Sequence, residues 1–344
     1  MATSMMSAPA HGGRVLDAAA YFGIPEEEWL DLSTGISPFS YPVPPLPVTA
    51  WQCLPDHQYR ALLCVAYDYY GSQSLLAAPG SQFFIETLPL LRPTSKVAIL
   101  SPTYQEYAYQ WSRHGHHVLE LTQEAIELDL EQYDVLVVVR PNNPTAEQID
   151  LTQLRDWHQR LAKRGGWLIV DEAFIEPLLA DGEPSLITPE PLDGLIVLRS
   201  VGKFFGLAGI RLGFIWSTSE LLAQIEAKQS LWYLSGPTVW AGIHALQDRC
   251  WQADTCQKIK TASTRLQSLL QNKGYNVHNG GLYCYIPYQQ ARTVYEYLAQ
   301  RGILVRLFEQ PAALRIGLPA QEADWQRLDT ALSALSIPNV ASVK

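Results

Sequence analysis

The stretch VLRSVGKFFGLAGIRLGFIW, residues 197–216, decides the fold of this chain. An apolar run breaks into small and basic residues and then resumes as a second apolar run, which is how two buried strands around a loop appear in a sequence. Lys203 lies among Gly and Phe, where partial desolvation favours its neutral amine, the form that attacks an aldehyde. Ser200 and Arg211 are spaced to grip a phosphate. The alternative is a surface loop with two solvated cations.

Working outward, compact apolar runs at 97–100, 135–139 and 167–170 precede this stretch. Helix-like segments such as 151–163 separate them, and strands alternating with helices are typical of a parallel sheet covered by helices. The predicted fold class is therefore α/β, with a mostly parallel sheet in a large domain.

The flanking parts have other patterns. Residues 37–55 are proline-rich and predict an extended, irregular arm, and residues 220–272 are mostly helical in pattern. After residue 275, short strands at 281–286, 303–305 and 313–316 mix with helices, which predicts a smaller α+β domain. The predicted division is an N-terminal arm associated with the small domain (1–35), a large domain (36–245) and the small C-terminal domain (246–344).

The bulk composition excludes several classes. A formal net charge of −9 argues against a general nucleic-acid binder, because phosphate backbones require a basic face. No apolar run reaches the roughly 20 residues that cross a bilayer. The opening MATSMMSAPA lacks the basic start and apolar stretch of a secretion signal, so we expect a loose N-terminus and a cytoplasmic protein. Five cysteines without a CxxC pair fit neither a disulfide framework nor a zinc site, and no metal is expected.

The central stretch resembles the lysine segment of fold-type I pyridoxal 5'-phosphate (PLP) enzymes of the aminotransferase family, in which Ser-x-x-Lys precedes a Gly and an Arg. The resemblance implies that Lys203 holds PLP as a Schiff base and later moves protons, while Ser200 and Arg211 bind the cofactor phosphate. LIVDEAF resembles the family's Asp-x-x-Tyr segment. A carboxylate at Asp171 would keep the pyridine nitrogen protonated, so that the ring can accept electrons.

Three further motifs follow the family's order, and the resemblance covers residues 35 to 319. RPNNPTA resembles its Asn-Pro-Thr-Gly turn, which implies that Asn143 donates to the cofactor's 3'-oxygen. In PGSQFF a strand-like run leads into a helix, and the amides of Gly80, Ser81 and Gln82 are candidates to hold phosphate. Tyr104 corresponds to the aromatic residue that stacks on the cofactor ring. Taken singly, these are a common turn, a common helix start and a core tyrosine.

Two arginines are candidates for substrate binding. Arg315, in ALRIGLP, matches the family's C-terminal arginine that pairs with the substrate carboxylate, a task suited to guanidinium geometry. Arg306, in GILVRLF, resembles a second arginine that binds the substrate phosphate in the histidinol-phosphate aminotransferase branch. A phosphorylated amino acid is therefore the predicted substrate, although either arginine could be a rim residue.

Other details resemble the threonine-phosphate decarboxylases of cobalamin biosynthesis. These are HGG at 11–13, DLSTGISPFSYP with Gly35, the phrase DEAF, and RSVGKFFGLAGIRLGF. The resemblance implies conversion of L-threonine O-3-phosphate to (R)-1-amino-2-propanol O-2-phosphate and carbon dioxide. It also implies that His11 and Gly35 bind substrate, although a histidine near a chain end is usually only solvated. Relatives pair two subunits, so a homodimer is expected.

The chain departs from the family pattern at four positions. Phe174 replaces a Tyr that reaches the 3'-oxygen, Leu54 replaces a Tyr that reaches the neighbouring subunit's cofactor, and Gly202 replaces a hydroxyl residue. Ala146 replaces the turn's Gly, a harmless change if its φ angle is negative. The alternatives to a decarboxylase are an aminotransferase acting on histidinol phosphate or another amino acid, and a non-catalytic homologue, which would be expected to have lost Lys203, Asp171 or Arg211.

Overall fold

A computed structural model of the chain describes Pro9 and residues 11–335, with the backbone alone at 56–58. The predicted loose N-terminus, apart from Pro9, lies outside the described residues. The strands are β1 Leu30–Asp31, β2 Leu75–Ala78, β3 Lys96–Leu100, β4 His117–Leu121, β5 Val135–Val139, β6 Trp167–Asp171, β7 Leu195–Ser200, β8 Gly213–Trp216, β9 His278–Asn279, β10 Tyr283–Pro287, β11 Ile303–Leu304, β12 Arg306–Glu309 and β13 Ala312–Gly317.

Helices follow most of the strands in the first two thirds of the chain. They are α1 Val15–Phe22, α2 Thr49–Gln52, α3 Asp56–Tyr70, α4 Ser81–Thr87, α5 Glu106–Arg113, α6 Gln123–Asp129, α7 Leu151–Ala162, α8 Glu176–Ala180, α9 Val201–Phe204, α10 Ser219–Glu226, α11 Gly236–Gln247, α12 Arg249–Asn272, α13 Ala291–Ala299 and α14 Glu322–Ala334. Within the described part of the chain, no helix is both long and apolar enough to cross a membrane.

The large sheet has seven strands in the order β2-β8-β7-β6-β5-β3-β4, and β8 alone runs antiparallel to its neighbours. Every residue of β5 is buried, because layers of apolar side chains cover both faces of the sheet. This architecture confirms the α/β prediction. Strand β4 was not predicted, because its sequence HVLEL at the edge of the sheet is neither a continuous apolar run nor a strict alternation of polar and apolar residues.

The quoted stretch forms β7, the short helix α9 and β8. Ser200 at the end of β7 pairs with Gly213 at the start of β8, so the chain leaves the sheet only between these two residues. The amide of Val201 donates to the carbonyl of Leu212, which closes the base of this loop. Lys203 is therefore held on a loop whose two ends are anchored in adjacent strands.

The C-terminal region carries a four-stranded antiparallel sheet in the order β12-β13-β10-β9. Strand β10 begins at Tyr283 rather than at residue 281, because Gly281 has a φ of +77° and makes a turn. Strand β1 pairs in parallel with β11, which joins the N-terminal segment to this region. The predicted domain boundaries remain a prediction.

The proline-rich arm is mostly irregular, as predicted, but it contains the short helix α2. Helix α2 packs on the start of α11 so closely that a Cβ added to Gly236 would lie 2.1 Å from the carbonyl oxygen of Ala50. Tertiary packing thus stabilises a four-residue helix that local propensity does not predict.

The replacement of the turn's Gly by Ala146 was expected to be harmless if the φ of Ala146 were negative. That condition is not met, because its φ is +64°, in the left-handed region. An L side chain is disfavoured there because its Cβ crowds the backbone, whereas glycine is not. The amide of Ala146 donates to the carbonyl of Asn142 at 2.8 Å, so the turn keeps the conformation that suits glycine.

We therefore expect Ala146→Gly to raise the free energy of unfolding by about 1 kcal/mol. Urea unfolding followed by circular dichroism would measure the change. The matched control is Ala223→Gly on the exposed face of α10, where the same substitution should lower that free energy by about 1 kcal/mol, since glycine is unfavourable inside a helix. A loss of stability with Ala146→Gly would contradict the strain argument.

Candidate active site

A cavity of about 390 Å³ lies at the carboxyl ends of β5, β6 and β7. The final residues of these three strands, Val139, Asp171 and Ser200, all line it, because parallel strands bring their carboxyl ends to the same edge of a sheet. Every predicted cofactor-binding residue lines this one cavity, together with His11. These residues are Gly80, Ser81, Gln82, Tyr104, Asn143, Asp171, Ser200, Lys203 and Arg211.

Lys203 lies on α9 and is the lysine among the described residues that line this cavity. Its Nζ lies 5.4 Å from the ring centre of Phe174. Burial lowers the pKa of Lys203 to about 8, helped by the nearby positive charge of Arg315 and opposed by Asp171. The neutral, nucleophilic amine is thus far more populated near neutral pH than in a solvated lysine.

Asp171 ends β6 and is 4% exposed. Its Oδ2 accepts a hydrogen bond from the hydroxyl of Tyr107 at 2.9 Å, and its Oδ1 accepts one from the amide of Ala173 at 2.9 Å. Burial raises the pKa of Asp171, while these two hydrogen bonds and the charge of Lys203 oppose the rise. A carboxylate buried in this way is a strong partner for a positive charge placed in the cavity.

The other end of the cavity is cationic and depends on glycine. Gly80 has a φ of +81°, and a Cβ added there would lie 2.8 Å from an Arg211 guanidinium nitrogen. A Cβ on Gly213 would lie 2.4 Å from the amide nitrogen of Ser81. Both glycines therefore let the turn before α4 approach Arg211 and β8 closely, which leaves backbone amides and a guanidinium group beside one another.

Arg315 is buried behind Asn143 and is not itself part of the wall of this cavity. Its guanidinium donates to the side-chain oxygen of Asn143 at 2.5 Å and to the carbonyl of Ser33 at 2.8 Å. Burial lowers the pKa of Arg315 to about 10. On the adjacent strand Arg306 is its direct cross-strand partner, so the sheet aligns the two predicted substrate arginines.

A second cavity, of about 750 Å³, adjoins the first. It is lined by segments from α1, α13 and β12, and it contains Arg306 and Arg14. His11 lines both cavities. The predicted phosphate-binding residues His11 and Arg306 therefore border one space, and His11 stands where that space meets the cavity of Lys203.

The departures from the family pattern have local explanations. Phe174 packs edge-on against Tyr283 at 5.3 Å, and a Cβ on Gly35 would lie 2.8 Å from the Phe174 ring, so Gly35 is needed for this contact. A Cβ on Gly202 would lie 3.1 Å from the Cα of Ala208, so a hydroxyl residue there would crowd the loop. Leu54 is 61% exposed.

Sequence reasoning missed two residues of α5. Tyr107 is fully buried and bonds Asp171, and Glu106 bonds His11. Tyr107 lies on α5, whereas Tyr104 precedes that helix, so the spacing of the two tyrosines gives no helical pattern. No local pattern indicates the contact of Tyr107 with Asp171 or that of Glu106 with His11.

The donors in the first cavity fit pyridoxal 5'-phosphate. An amine with a lowered pKa suits an aldehyde, the buried Asp171 carboxylate suits a protonated ring nitrogen, and the Gly80 turn with Arg211 suits a phosphate. All three groups line the same space. The chemistry of the residues therefore agrees with the cofactor that the resemblance implies.

Comparisons with known proteins agree with the family resemblance. The family model "Aminotransferase class I and II" matches residues 52–335. A threonine-phosphate decarboxylase of Pseudomonas aeruginosa is 44% identical over 95% of this chain and 98% of its own length, and one of a Sinorhizobium species is 38% identical over 96% and 100%. Among solved structures, this chain is similar to a histidinol-phosphate aminotransferase from Sinorhizobium meliloti, whose crystal structure contains pyridoxal 5'-phosphate. The TM-score is 0.78 and the sequence identity 19%, over 96% of this chain and 97% of that one.

Proposed function

The chain belongs to the aminotransferase class I and II family, and on that basis we propose that it is a PLP-dependent enzyme that decarboxylates L-threonine O-3-phosphate. The products are (R)-1-amino-2-propanol O-2-phosphate and carbon dioxide, and the reaction serves cobalamin biosynthesis. The observation that carries the proposal is the 44% identity to a threonine-phosphate decarboxylase across 95% of the chain. The intact cavity of Lys203, Asp171 and Arg211 supports it.

When bound, the cofactor supplies a protonated, conjugated ring that accepts the electron pair left at the substrate's α carbon. Asp171 provides the negative charge that keeps the ring nitrogen protonated, and Tyr107 and the amide of Ala173 hold that carboxylate in place. Arg211, Ser200 and the Gly80 turn hold the cofactor phosphate. Lys203 would hold the cofactor in its resting state and, in its protonated form, would donate a proton to the α carbon after carbon dioxide leaves; a pKa of about 8 keeps both the neutral and the protonated amine populated near neutral pH.

The substrate phosphate binds where the two cavities meet. His11 lines both cavities, and Arg306 lines the larger one. Arg315, which lies behind Asn143 and beside Arg306 on the neighbouring strand, holds the substrate carboxylate. A phosphate dianion gains strongly from charged donors at such a partly desolvated position, so these residues distinguish a phosphorylated amino acid from a plain one.

The second candidate is a histidinol-phosphate aminotransferase. The likeness in fold to such an enzyme favours it, and the same residues would then serve removal of the α proton. Phe174 argues against it, because its ring offers no hydroxyl to the cofactor's 3'-oxygen. Asn143 would then hold that oxygen without help from residue 174.

We further propose a homodimer in the cytoplasm. Large apolar side chains are exposed on and beside α2 and in the segment before α11, two helices that contact each other, and exposed apolar surface of this kind is often covered by another protein. Light scattering in solution would give the mass that checks the dimer. The exposed side chains are Val48, Trp51, Leu54, Leu231 and Trp232.

The function is tested by incubating the PLP-loaded protein with L-threonine O-3-phosphate in the absence of any keto acid and measuring the carbon dioxide released. We expect repeated turnover, because decarboxylation leaves the cofactor in its original oxidation state. L-Threonine without phosphate is the matched control and should react poorly. Amino transfer to 2-oxoglutarate from histidinol phosphate, without release of carbon dioxide, would support the aminotransferase instead.

A further inference from the structure

Glu106 is a buried carboxylate that contacts His11, the residue lining both cavities, and the mechanism above does not use it. It opens α5, is 7% exposed and lines the cavity of Lys203. A buried negative charge is costly unless hydrogen bonds compensate it. It is also unexpected in a site that must hold two phosphates, so its surroundings need a physical account.

Three side chains compensate this charge. Gln82 and Gln110 donate their amide nitrogens to Oε2 at 2.9 and 3.1 Å, and the Nε2 of His11 lies 2.8 Å from Oε1. Burial raises the pKa of Glu106, but these hydrogen bonds outweigh it and hold the pKa below its usual value. Glu106 is therefore an ionised acceptor with a fixed geometry.

The bond to Glu106 determines which nitrogen of His11 is available to a ligand. With Nε2 held by the carboxylate, Nδ1 is the ring nitrogen left to face a phosphate. A neutral imidazole donates through only one nitrogen, whereas the imidazolium donates through both. A doubly protonated ring held in this orientation can donate to Glu106 through Nε2 and to a phosphate oxygen through Nδ1 at the same time.

The same carboxylate connects the two phosphate-binding regions. Gln82 lies at the start of α4, in the turn that faces Arg211, and its side-chain oxygen accepts from the hydroxyl of Tyr104 at 3.4 Å. The rings of His11 and Tyr104 lie 5.6 Å apart. His11 is 95 residues from Glu106 in the chain, so this contact holds the N-terminal segment against the wall of the large sheet's cavity.

We propose that Glu106 is a positioning residue that orients His11 for the substrate phosphate. The inference rests on the proposed function, because it takes His11 as a ligand of that phosphate. It predicts that Glu106 matters for substrate binding through His11, and only slightly for the chemical step.

The test is a double-mutant cycle of Glu106→Gln and His11→Ala in the PLP-loaded protein. We expect each single variant to raise KM for L-threonine O-3-phosphate about tenfold or more with kcat changed much less, because each loses a charge-assisted contact. In protein that already carries His11→Ala, adding Glu106→Gln should change KM little further. Titration of the bound cofactor's absorbance with the same substrate gives Kd as a readout independent of turnover.

Glu86→Gln is the matched control, because Glu86 also accepts from the Gln82 amide, at 3.0 Å, but is exposed and has no contact with His11 in the described structure. It should leave Kd unchanged. If Glu106→Gln does not fold, Glu106→Asp keeps the charge but withdraws the carboxylate from His11, and it should give the same rise in Kd.

Independent, multiplying effects of the two substitutions would overturn the proposal, as would an unchanged Kd in Glu106→Gln. Failure of the proposed function looks different: wild-type protein would then release no carbon dioxide. In that case the absorbance titration with the phosphorylated substrate still measures whether Glu106 and His11 act together.

Discussion

Replacing Lys203 by Ala should lower the release of carbon dioxide from L-threonine O-3-phosphate by at least about 10³-fold. The reason is that, in the proposed mechanism, Lys203 carries both tasks of an amine in this cavity, binding the cofactor and moving a proton. Burial keeps its pKa near 8, so the substitution removes an amine that is partly neutral at the pH of the assay. The arginines of the site cannot replace it, because a guanidinium does not deprotonate in proteins.

The measurement is the initial rate of carbon dioxide release with PLP in excess. Lys228→Ala, an exposed lysine just after α10, is the matched control and should leave the rate unchanged. Turnover by Lys203→Ala close to that of the wild type would contradict both the assigned role of Lys203 and the mechanism built on it.

Replacing Asp171 by Asn should lower kcat by about 10² to 10³-fold. The two side chains have nearly the same shape, so Tyr107 and the amide of Ala173 can keep their places, but the negative charge is lost. Without that charge the ring nitrogen is less readily protonated, and the electron pair at the α carbon is less stabilised. The loss should therefore appear in kcat rather than in substrate affinity.

Steady-state kinetics with saturating cofactor would measure the change, and thermal unfolding would verify that the variant is folded. The control is Asp156→Asn on the surface of α7, where the carboxylate only pairs with Arg160 at 3.2 Å. Such an exposed ion pair contributes little to stability. A variant Asp171→Asn that keeps the wild-type kcat would mean that another group protonates the ring.

The strands and the loop of Lys203 could be predicted from sequence because their determinants are local. The apolar run predicted at 135–139 has the bounds observed for β5, and Asp171 and Lys203 follow apolar runs. Hydrophobic periodicity and the length of an apolar run depend only on neighbouring residues, so both can be recognised without knowledge of the rest of the chain.

Features that depend on packing could not be predicted in this way. The φ of Ala146 is imposed by its turn, and helix α2 forms because α11 lies beneath it. The edge strand β4 has too weak a pattern to be distinguished from a loop. In each case the energy of a contact with a distant residue outweighs the local preference.

The sequence by itself determined the α/β class and the order of the main elements, and its family resemblance gave the candidate cofactor residues that stand at strand ends and turns. Only the tertiary structure joined residues far apart in the chain: Tyr107 to Asp171, Arg315 to Asn143, and His11 to Glu106. The physical reason is that hydrogen bonds of this kind depend on where the sheet and the helices bring side chains in space, and no pattern among neighbouring residues records that position.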